Sequence, residues 1–538
     1  MTQPARGHGV ARVALLIAVV TVMARLAGFA RVVVFARIVG PSCLGDTYFT
    51  ANTVPNIVFD IVAGGALTSL VVPVLAGPVA DGDRDTVNRT TSALLTWAVS
   101  ILLPLTLIGL LLTHPLMRLL VGGGHQGCSA STEVAVGARM LAVFMPQVLL
   151  YGVAVVMIGV NQAHRRFLGG AIGPLVSSLV VIGAYITFGV VASSRETDLS
   201  TLVRSHELVL SIGTTLGVAA LLVTMLINAS GAKLRLRPSY RFPPGVASTI
   251  RAMAISGAVV VGSQDIATAV VLRLANAHGS DGSVVLYNLA WTVFTVPWAV
   301  AAVPLATTAF PGLTAAWQRG DRSAYAATTA RTARVMVIVA AGTAAIMGAA
   351  AGPLARVVIH GAPGGVPPTV LARGLAAFAP GLVGYAFVAL FSRSLYAQND
   401  ARTPATAVAA GWLVAIGADI ALVATLPTTW TVAAFGIGTS IGVSVSGGWL
   451  LLALRRSAGR EALSSLRRAA TAALAGAALG AAAGALVARA APTTGVLGDL
   501  LVVVVVALGA AIVHAVVVWM LDRTTLRLLL DRERFRRA

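Results

Sequence analysis

Charged residues are scarce in this sequence. Only 11% of its 538 residues are Asp, Glu, Lys or Arg, whereas soluble proteins carry about 25%. Hydrophobic residues make up 57% of the chain, and the mean hydropathy is +0.87. This composition excludes a soluble enzyme, a secreted disulfide scaffold and a disordered chain. The apolar stretches are continuous and do not alternate every second residue, which also excludes a porin-type barrel. We therefore expect an all-α polytopic membrane protein.

Motifs for catalysis, metal binding and nucleotide binding are also missing. The two cysteines, Cys43 and Cys128, form no CxxC or Cys/His cluster. The sequence has no Walker A loop, no HExxH and no glycine-rich dinucleotide loop. Without a built-in ATPase, any transport has to be driven by an ion gradient or by the membrane potential. We thus expect a transporter, not an enzyme, and no cofactor other than a possible coupling ion.

The net charge of +20 is explained by membrane topology. Aromatic residues are only 6% of the chain, so no platform for stacking nucleic-acid bases is expected. Fourteen apolar runs are long enough to cross a bilayer core of about 30 Å. Basic residues concentrate in alternate loops, whereas the loops PSCLGD, NAHGSDG and LPTTWT have none. By the positive-inside rule, this alternation places both termini in the cytoplasm.

The chain contains an internal repeat. Thr53-Val54-Pro55 is matched by Thr295-Val296-Pro297, and NQAHRRF at 161–167 by AQNDART at 397–403. An offset of six spans preserves orientation, so the repeat is parallel, as in alternating-access transporters built from two six-helix lobes. We expect the following segments: an N-terminal lobe at 1–228, a C-terminal lobe at 229–460, two extra helices at 461–521 and a basic cytoplasmic tail at 522–538.

Ionisable residues inside the first spans are candidate functional residues, because burying a charge in a membrane costs about 2.5–3.5 kcal/mol. Arg25 and Arg31 flank Gly28 in span 1, where a glycine allows a bend or a close backbone approach. Guanidinium groups suit phosphate, so the pair predicts an anionic substrate. Asp46 either caps span 2 or pairs with an arginine of a gate. Asp60 is placed to neutralise Arg25 or Arg31.

The later spans contain fewer candidates. Asp265 lies in span 7 and Asp419 in span 11. Asp419 has no neutralising neighbour in its span, which fits either a cation site or a protonated acid. His514 is expected to be a packed, hydrogen-bonded histidine. Three glycines spaced by four residues lie near one face of span 13 and predict close helix packing: Gly476, Gly480 and Gly484.

The two cysteines are expected to lie in outer loops of the same lobe. An oxidising outer face permits a disulfide between Cys43 and Cys128. Transporters of this kind usually have none, however, so we expect two free thiols.

Residues 24–76 carry a recognisable set of motifs. The stretch is ARLAGFARVVVFARIVGPSCLGDTYFTANTVPNIVFDIVAGGALTSLVVPVLA. It closely resembles the start of the MurJ/MviN lipid II flippases, which belong to the multidrug/oligosaccharidyl-lipid/polysaccharide exporter superfamily. The second half agrees through SRSLYAQNDARTP at 392–404. The matching positions are Arg25, Gly28, Phe29, Arg31, Asp46, Tyr48, Phe49, Pro55, Asn56, Gly65, Ala66 and Pro73.

The resemblance implies a fold, a substrate and a location. It implies a fourteen-span flippase of the bacterial cytoplasmic membrane that moves lipid II from the inner to the outer leaflet. Spans 13 and 14 would form a groove for the lipid tail. The protein would function as a monomer, with cell-wall synthesis and division proteins as possible partners. The residues implied are Arg25, Arg31 and Asn56 for the pyrophosphate and sugars, and Asp265, Asp419 and Thr439 for a sodium ion.

The sequence departs from the family pattern at two places. Many members have an arginine pair where this chain has Phe59 and Asp60, and an arginine where it has Thr292. Arg273 or Arg393 could replace the missing charge. These departures leave two alternatives open: a cation-coupled multidrug exporter of the same superfamily, and a non-transporting membrane scaffold of the cell-wall machinery.

Overall fold

The computed structural model describes residues 7–61, 65–123, 127–192, 199–242, 246–491 and 495–525. Within these ranges the chain is helical and contains no strand, which confirms the predicted fold class. The chain divides into two compact units, Met1–Asp265 and Ile266–Ala538. Most of the predicted basic tail at 522–538 lies outside the described residues.

In the described residues, the first unit contains nine helices and the start of a tenth, which continues into the second unit. Proline lies inside α2, α4 and α8. The helices are α1 Gly7–Ile38, α2 Cys43–Phe59, α3 Gly65–Ala80, α4 Arg84–Leu111, α5 Thr113–Val121, α6 Ala130–Phe144, α7 Gln147–Ala163, α8 Phe167–Val191, α9 Arg204–Ser230 and α10 Val246–His278.

The described part of the second unit has nine further helices. A π-helical segment, Trp298–Ala302, joins α11 to α12. Short 3-10 turns at Thr428–Trp430 and Glu461–Leu463 precede α17 and α18. The helices are α11 Ser283–Pro297, α12 Val303–Gln318, α13 Arg322–Ile359, α14 Pro368–Phe378, α15 Gly381–Ala397, α16 Arg402–Thr425, α17 Thr431–Ala458, α18 Leu466–Ala490 and α19 Val496–Leu521.

The described residues contain 12 segments long and apolar enough to span a membrane, or 13 when α14 and α15 count as one span bent by 40°. The predicted number of fourteen is therefore not confirmed. The difference lies in the expected second span, which is divided into α2 and α3 with 62–64 outside the described residues. Helices of 17 and 16 residues are each shorter than the roughly 20 residues that a bilayer core requires.

A local motif recurs in the two halves. Gly82-Asp83 precedes α4, which begins at Arg84, and Gly320-Asp321 precedes α13, which begins at Arg322. Both glycines are left-handed, with φ of 72° and 75°. Asp83 Oδ1 accepts a hydrogen bond from the Thr86 amide at 2.9 Å, and Asp321 Oδ1 accepts one from the Ala324 amide at 2.9 Å. The hydrogen bonds that Asp83 accepts from Thr86 lower the pKa of Asp83. The hydrogen bond from the Ala324 amide likewise lowers the pKa of Asp321.

The two loops that correspond in the sequence repeat, at 161–167 and 397–403, also share a conformation. Arg165 follows α7 with φ 58°, and Asn399 follows α15 with φ 62°. The next amide in each loop bonds back to the helix: Arg166 to the Asn161 carbonyl at 2.8 Å, and Asp400 to the Leu395 carbonyl at 3.0 Å. Such left-handed turns satisfy carbonyl groups at a helix end. These equivalent turns support the parallel repeat.

Close packing of the glycine face of α18 is confirmed. A Cβ added at Gly480 would lie 2.7 Å from the Ala510 carbonyl oxygen, and one at Gly476 would lie 3.0 Å from the His514 carbonyl oxygen. At Gly484 an added Cβ would overlap the Ala349 methyl group. The glycines therefore let α18 approach the backbone of α19 and the side chains of α13.

Two polar contacts join α19 to α13. The buried His514 shares a 3.0 Å hydrogen bond with the Ile338 carbonyl through Nε2, which confirms its expected structural role. At the other end of α19, Arg356 Nε donates to Asp499 Oδ1 at 2.7 Å.

Candidate functional site

The two span 1 arginines have different surroundings. Arg25 is exposed, whereas Arg31 is half-buried. One turn after Arg31, the fully buried Phe35 stacks on Tyr48 at 4.8 Å and meets Tyr185 edge-on at 5.0 Å between ring centroids. This aromatic packing fixes the part of α1 that carries Arg31. Gly28 has no atom within 4 Å of an added Cβ, so the expected close backbone approach is not found among the described residues.

Three tyrosines lie near Arg31. Its guanidinium interacts electrostatically with Tyr48, Tyr151 and Tyr185. The Tyr48 hydroxyl is hydrogen-bonded to the Tyr185 hydroxyl at 2.8 Å and to Thr214 Oγ1 at 2.6 Å. The half-buried Arg31 thus lies near a buried cluster of hydroxyl groups. Of these tyrosines, the sequence motifs include only Tyr48. Tyr151 and Tyr185 could not be found in the sequence, because a single tyrosine in an apolar run has no spacing signal.

The half-buried Asp60 lies close to this cluster in the first unit. It interacts electrostatically with Tyr151, and Phe59 packs on the Tyr151 ring at 5.4 Å. Asp60 also interacts with the buried Asp265. Within the described ranges, Asp60 forms no ion pair with Arg25 or Arg31. Its backbone is π-helical, like that of Trp298–Ala302 in the second half, and such irregular turns are frequent at functional sites.

Helix α2 contains the other two candidates of the first unit. Asn56 Nδ2 donates to the Asn52 carbonyl one turn earlier at 2.8 Å. Asp46 is completely buried in the first turn. It is not the helix cap: Ser42 is, because its Oγ accepts the Gly45 amide at 3.2 Å. The capping interpretation of Asp46 is therefore wrong, and its pairing at a gate stays a prediction.

The two cysteines are joined in a disulfide, so the expectation of free thiols is wrong. Cys43 opens α2, and Cys128 lies two residues before α6. Their Cα atoms are 5.8 Å apart, within the range that a disulfide requires. Sequence could not give this distance, because it depends on how α2 packs against α6.

Candidate residues of the second unit lie on α16 and α17. Asp419 and Thr439 are both buried. A Cβ at Gly438 would overlap Asp419 Oδ1, so the glycine makes room for this carboxylate. Asp419 Oδ1 has no hydrogen-bond partner among the described residues. Asp265 belongs to the first unit, and the three residues together remain a predicted sodium site.

The arginines proposed to replace the missing charges are both half-buried. Arg393 Nη1 donates to the Ala389 carbonyl of its own helix at 2.8 Å. Thr292, at the place of the missing arginine, likewise bonds to the Asn288 carbonyl at 2.8 Å. No described contact links Arg273 or Arg393 to another candidate residue.

Comparison with known proteins gives the family. The family model described as "Lipid II flippase MurJ" matches residues 35–506. The chain belongs to the MurJ lipid II flippase family. A "Probable lipid II flippase MurJ" from Rhizobium tropici is 24% identical over 71% of this chain and 70% of its own length. The "Lipid II flippase MurJ" of Burkholderia cenocepacia is 23% identical over 71% and 72%.

Solved structures support the same fold. A lipid II flippase MurJ in an inward closed conformation aligns with a TM-score of 0.72 at 16% identity, covering 94% of this chain and 99% of its own. An inward-facing multidrug resistance MATE transporter of the MOP superfamily aligns with a TM-score of 0.66 at 14% identity, covering 85% and 99%. This chain thus shares its fold both with a MurJ flippase and with a multidrug transporter.

The structure also contains an ion pair between a buried glutamate and a half-buried arginine, which sequence reasoning missed. Arg139 on α6 donates to both carboxylate oxygens of Glu207 on α9, with Nη2 to Oε2 at 2.6 Å and Nε to Oε1 at 3.2 Å. The signal was Glu207 in an apolar span, where an acid needs a partner. This pair joins two helices of the first unit.

Proposed function

We propose that this protein moves lipid II from the inner to the outer leaflet of the bacterial cytoplasmic membrane. The observation that carries the proposal is the family match over residues 35–506. Family membership also argues against the multidrug exporter, which is supported by fold similarity alone.

Arg31 is the leading candidate for contact with the pyrophosphate, with Arg25 and Asn56 as further ligands. Among the described residues, the half-buried Arg31 guanidinium forms no ion pair with a carboxylate that would compete with an incoming phosphate. The tyrosine hydroxyls add donors for phosphate or sugar oxygens. Asp46 and Asp60 would then act as charge partners during opening and closing.

We further propose alternating access driven by the membrane potential or an ion gradient, with both termini in the cytoplasm. An anion that leaves a negative interior gains about 2.3 kcal/mol per charge for each 100 mV. A sodium ion at Asp265, Asp419 and Thr439 would be an additional driving ion. A monomer is sufficient for this mechanism, and cell-wall synthesis and division proteins are candidate partners.

The test is depletion of the protein in its source bacterium, with lipid II counted separately in each leaflet. We expect lipid II to accumulate in the inner leaflet and to return to normal when the wild-type gene is restored. Unchanged lipid II together with altered dye efflux would replace this proposal with the drug exporter. Unchanged lipid II and unchanged efflux, with defective cell-wall assembly, would replace it with the scaffold.

A further inference from the structure

A cavity of about 360 Å³ lies in the first unit where three turns meet. The turns follow α3, α7 and α9. None of the lining residues belongs to the site described above. The polar and glycine residues of the lining are Gly82, Arg84, Asn88, His164, Arg166, Gly231 and Lys233.

Asn228 holds both the side chain and the backbone of Arg166. Arg166 Nη1 donates to the Asn228 carbonyl at 2.9 Å, and Asn228 Nδ2 donates back to the Arg166 carbonyl at 3.1 Å. The guanidinium lies directly over Gly231, where an added Cβ would overlap Nη1. One of its nitrogens is thus occupied, and the other donors have no hydrogen-bond partner among the described residues.

The backbone position of Lys233 is fixed by the residues that follow it. Its backbone is left-handed, with φ 50°, a conformation that costs free energy for a residue with a side chain. The next residues run along α4: the Arg235 amide donates to Asn88 Oδ1 and the Arg237 amide to Ser92 Oγ, both at 3.0 Å. Two residues of extended chain advance about 6.6 Å, and four residues of helix advance about 6.0 Å. Alternate amides of the extended segment therefore lie opposite successive turns of α4.

The positive charges of the cavity are not offset inside it. Its lining includes Arg84, Arg166 and Lys233 but no Asp or Glu among the described residues. The nearest acids along the chain are Asp81, Asp83 and Asp85, and none of them lines the cavity. Asp83 caps α4, Asp85 pairs with Arg89 at 3.5 Å, and Asp81 is exposed. Three cations around a cavity of about 360 Å³ suit an anion with several oxygens, and guanidinium groups match phosphate.

The equivalent turns of the second half provide an internal comparison. There the Arg322 guanidinium lies over the Trp317 ring, 3.2 Å from its centroid, so it is already engaged. The position of Arg166 is taken by Asp400, whose Oδ1 accepts the Thr403 amide at 3.0 Å. The same turn can therefore be built without a cationic cavity. The cationic lining of this cavity is therefore particular to the sequence of the first half.

We propose that this cavity binds a phosphate group through Arg84, Arg166 and Lys233. The phosphate can come from an anionic lipid headgroup or from a soluble phosphate compound, since both present the same oxygens. The cavity is lined by residues of the basic loops after α3, α7 and α9. The positive-inside rule assigns such loops to the cytoplasmic face, where anionic lipids attract Lys and Arg. The proposal does not rest on transport of lipid II, because no residue of that site takes part.

The test uses the purified full-length protein and two probes. Native mass spectrometry measures retention of phosphatidylglycerol against phosphatidylcholine, and calorimetry measures binding of inorganic phosphate at constant ionic strength. The test variant is Arg84→Gln/Lys233→Gln. The control is Arg319→Gln/Arg322→Gln, which removes two charges from the equivalent turns of the second half. We expect the test variant to weaken binding of at least one probe about tenfold and the control to weaken it less than twofold.

Each result has one meaning. Loss for phosphatidylglycerol alone identifies a lipid headgroup, and loss for inorganic phosphate identifies a soluble ligand. Equal loss in both variants would show a general surface-charge effect and overturn the proposal, as would absence of binding of either probe to the wild type. Gly231→Ala is the second variant: it displaces Arg166 without removing a charge and should also weaken binding, provided that its melting temperature is unchanged.

Discussion

At the scale of single residues, Arg31 is the charge most clearly positioned for a ligand. It is half-buried, lies near three tyrosines and has no ion pair among the described residues. Arg31→Ala should reduce lipid II transport by about 10- to 100-fold, because it removes a charge-assisted hydrogen bond worth about 1.5–3 kcal/mol. Leaflet-resolved lipid II counting measures this change.

Two variants separate charge from general disruption. Arg31→Lys keeps the charge and should retain part of the activity. Arg489→Ala removes an exposed arginine at the end of α18 and should behave as wild type. Normal transport by Arg31→Ala at normal expression would show that this arginine does not bind the substrate.

The Arg139–Glu207 pair gives a second residue-scale prediction. The Glu207 side chain is only 2% exposed, so Arg139→Ala leaves a buried carboxylate without its partner. We expect a loss of about 3 kcal/mol in stability, seen as a lower melting temperature. Arg89→Ala is the matched control, since Arg89 and Asp85 are 62% and 83% exposed and such a pair contributes about 0–1 kcal/mol. Equal melting temperatures of the two variants would contradict this assignment.

At the scale of helices, the glycines of α18 decide how closely α19 can approach. Gly480→Ala places a methyl group 2.7 Å from the Ala510 carbonyl oxygen and should lower the melting temperature. Gly509→Ala on α19 meets no atom within 4 Å and should be neutral or stabilising by up to about 1 kcal/mol, the difference in helix propensity. A Gly480→Ala protein as stable as Gly509→Ala would refute the close packing of these helices.

The disulfide is a constraint between helices α2 and α6. It closes a loop with a sequence separation of 85 residues. In the chain-entropy model such a link contributes about 4–5 kcal/mol. Cys43→Ser should therefore lower the melting temperature under oxidising conditions and have no further effect in reductant.

Thiol labelling of intact cells tests the bond itself. A membrane-impermeant maleimide should label neither cysteine before mild reduction and both cysteines after it. Labelling without reduction would show free thiols.

At the scale of the whole molecule, the direction of transport should depend on the membrane potential. In proteoliposomes containing lipid II, an inside-negative potential should accelerate outward movement, because the pyrophosphate is an anion. Collapse of the potential with an ionophore should slow it. A rate that is independent of potential but dependent on sodium would favour the cation site at Asp419 as the coupling element.

The sequence by itself determined the fold class and most of the membrane segments. Hydropathy is a local property, and a run of about 20 apolar residues has few alternatives to a membrane helix. It also located the repeat and the close packing of Gly476, Gly480 and Gly484, because helical spacing can be counted along the chain.

Only the tertiary structure decided which distant residues meet. Cys43 and Cys128, Arg139 and Glu207, and Arg166 and Asn228 are each separated by more than 60 residues and become neighbours through helix packing. The choice of Ser42 over Asp46 as the cap of α2 depended on local backbone geometry that composition does not specify. The cationic cavity likewise arises only where three turns come together, since none of its arginines or its lysine is unusual in its own loop.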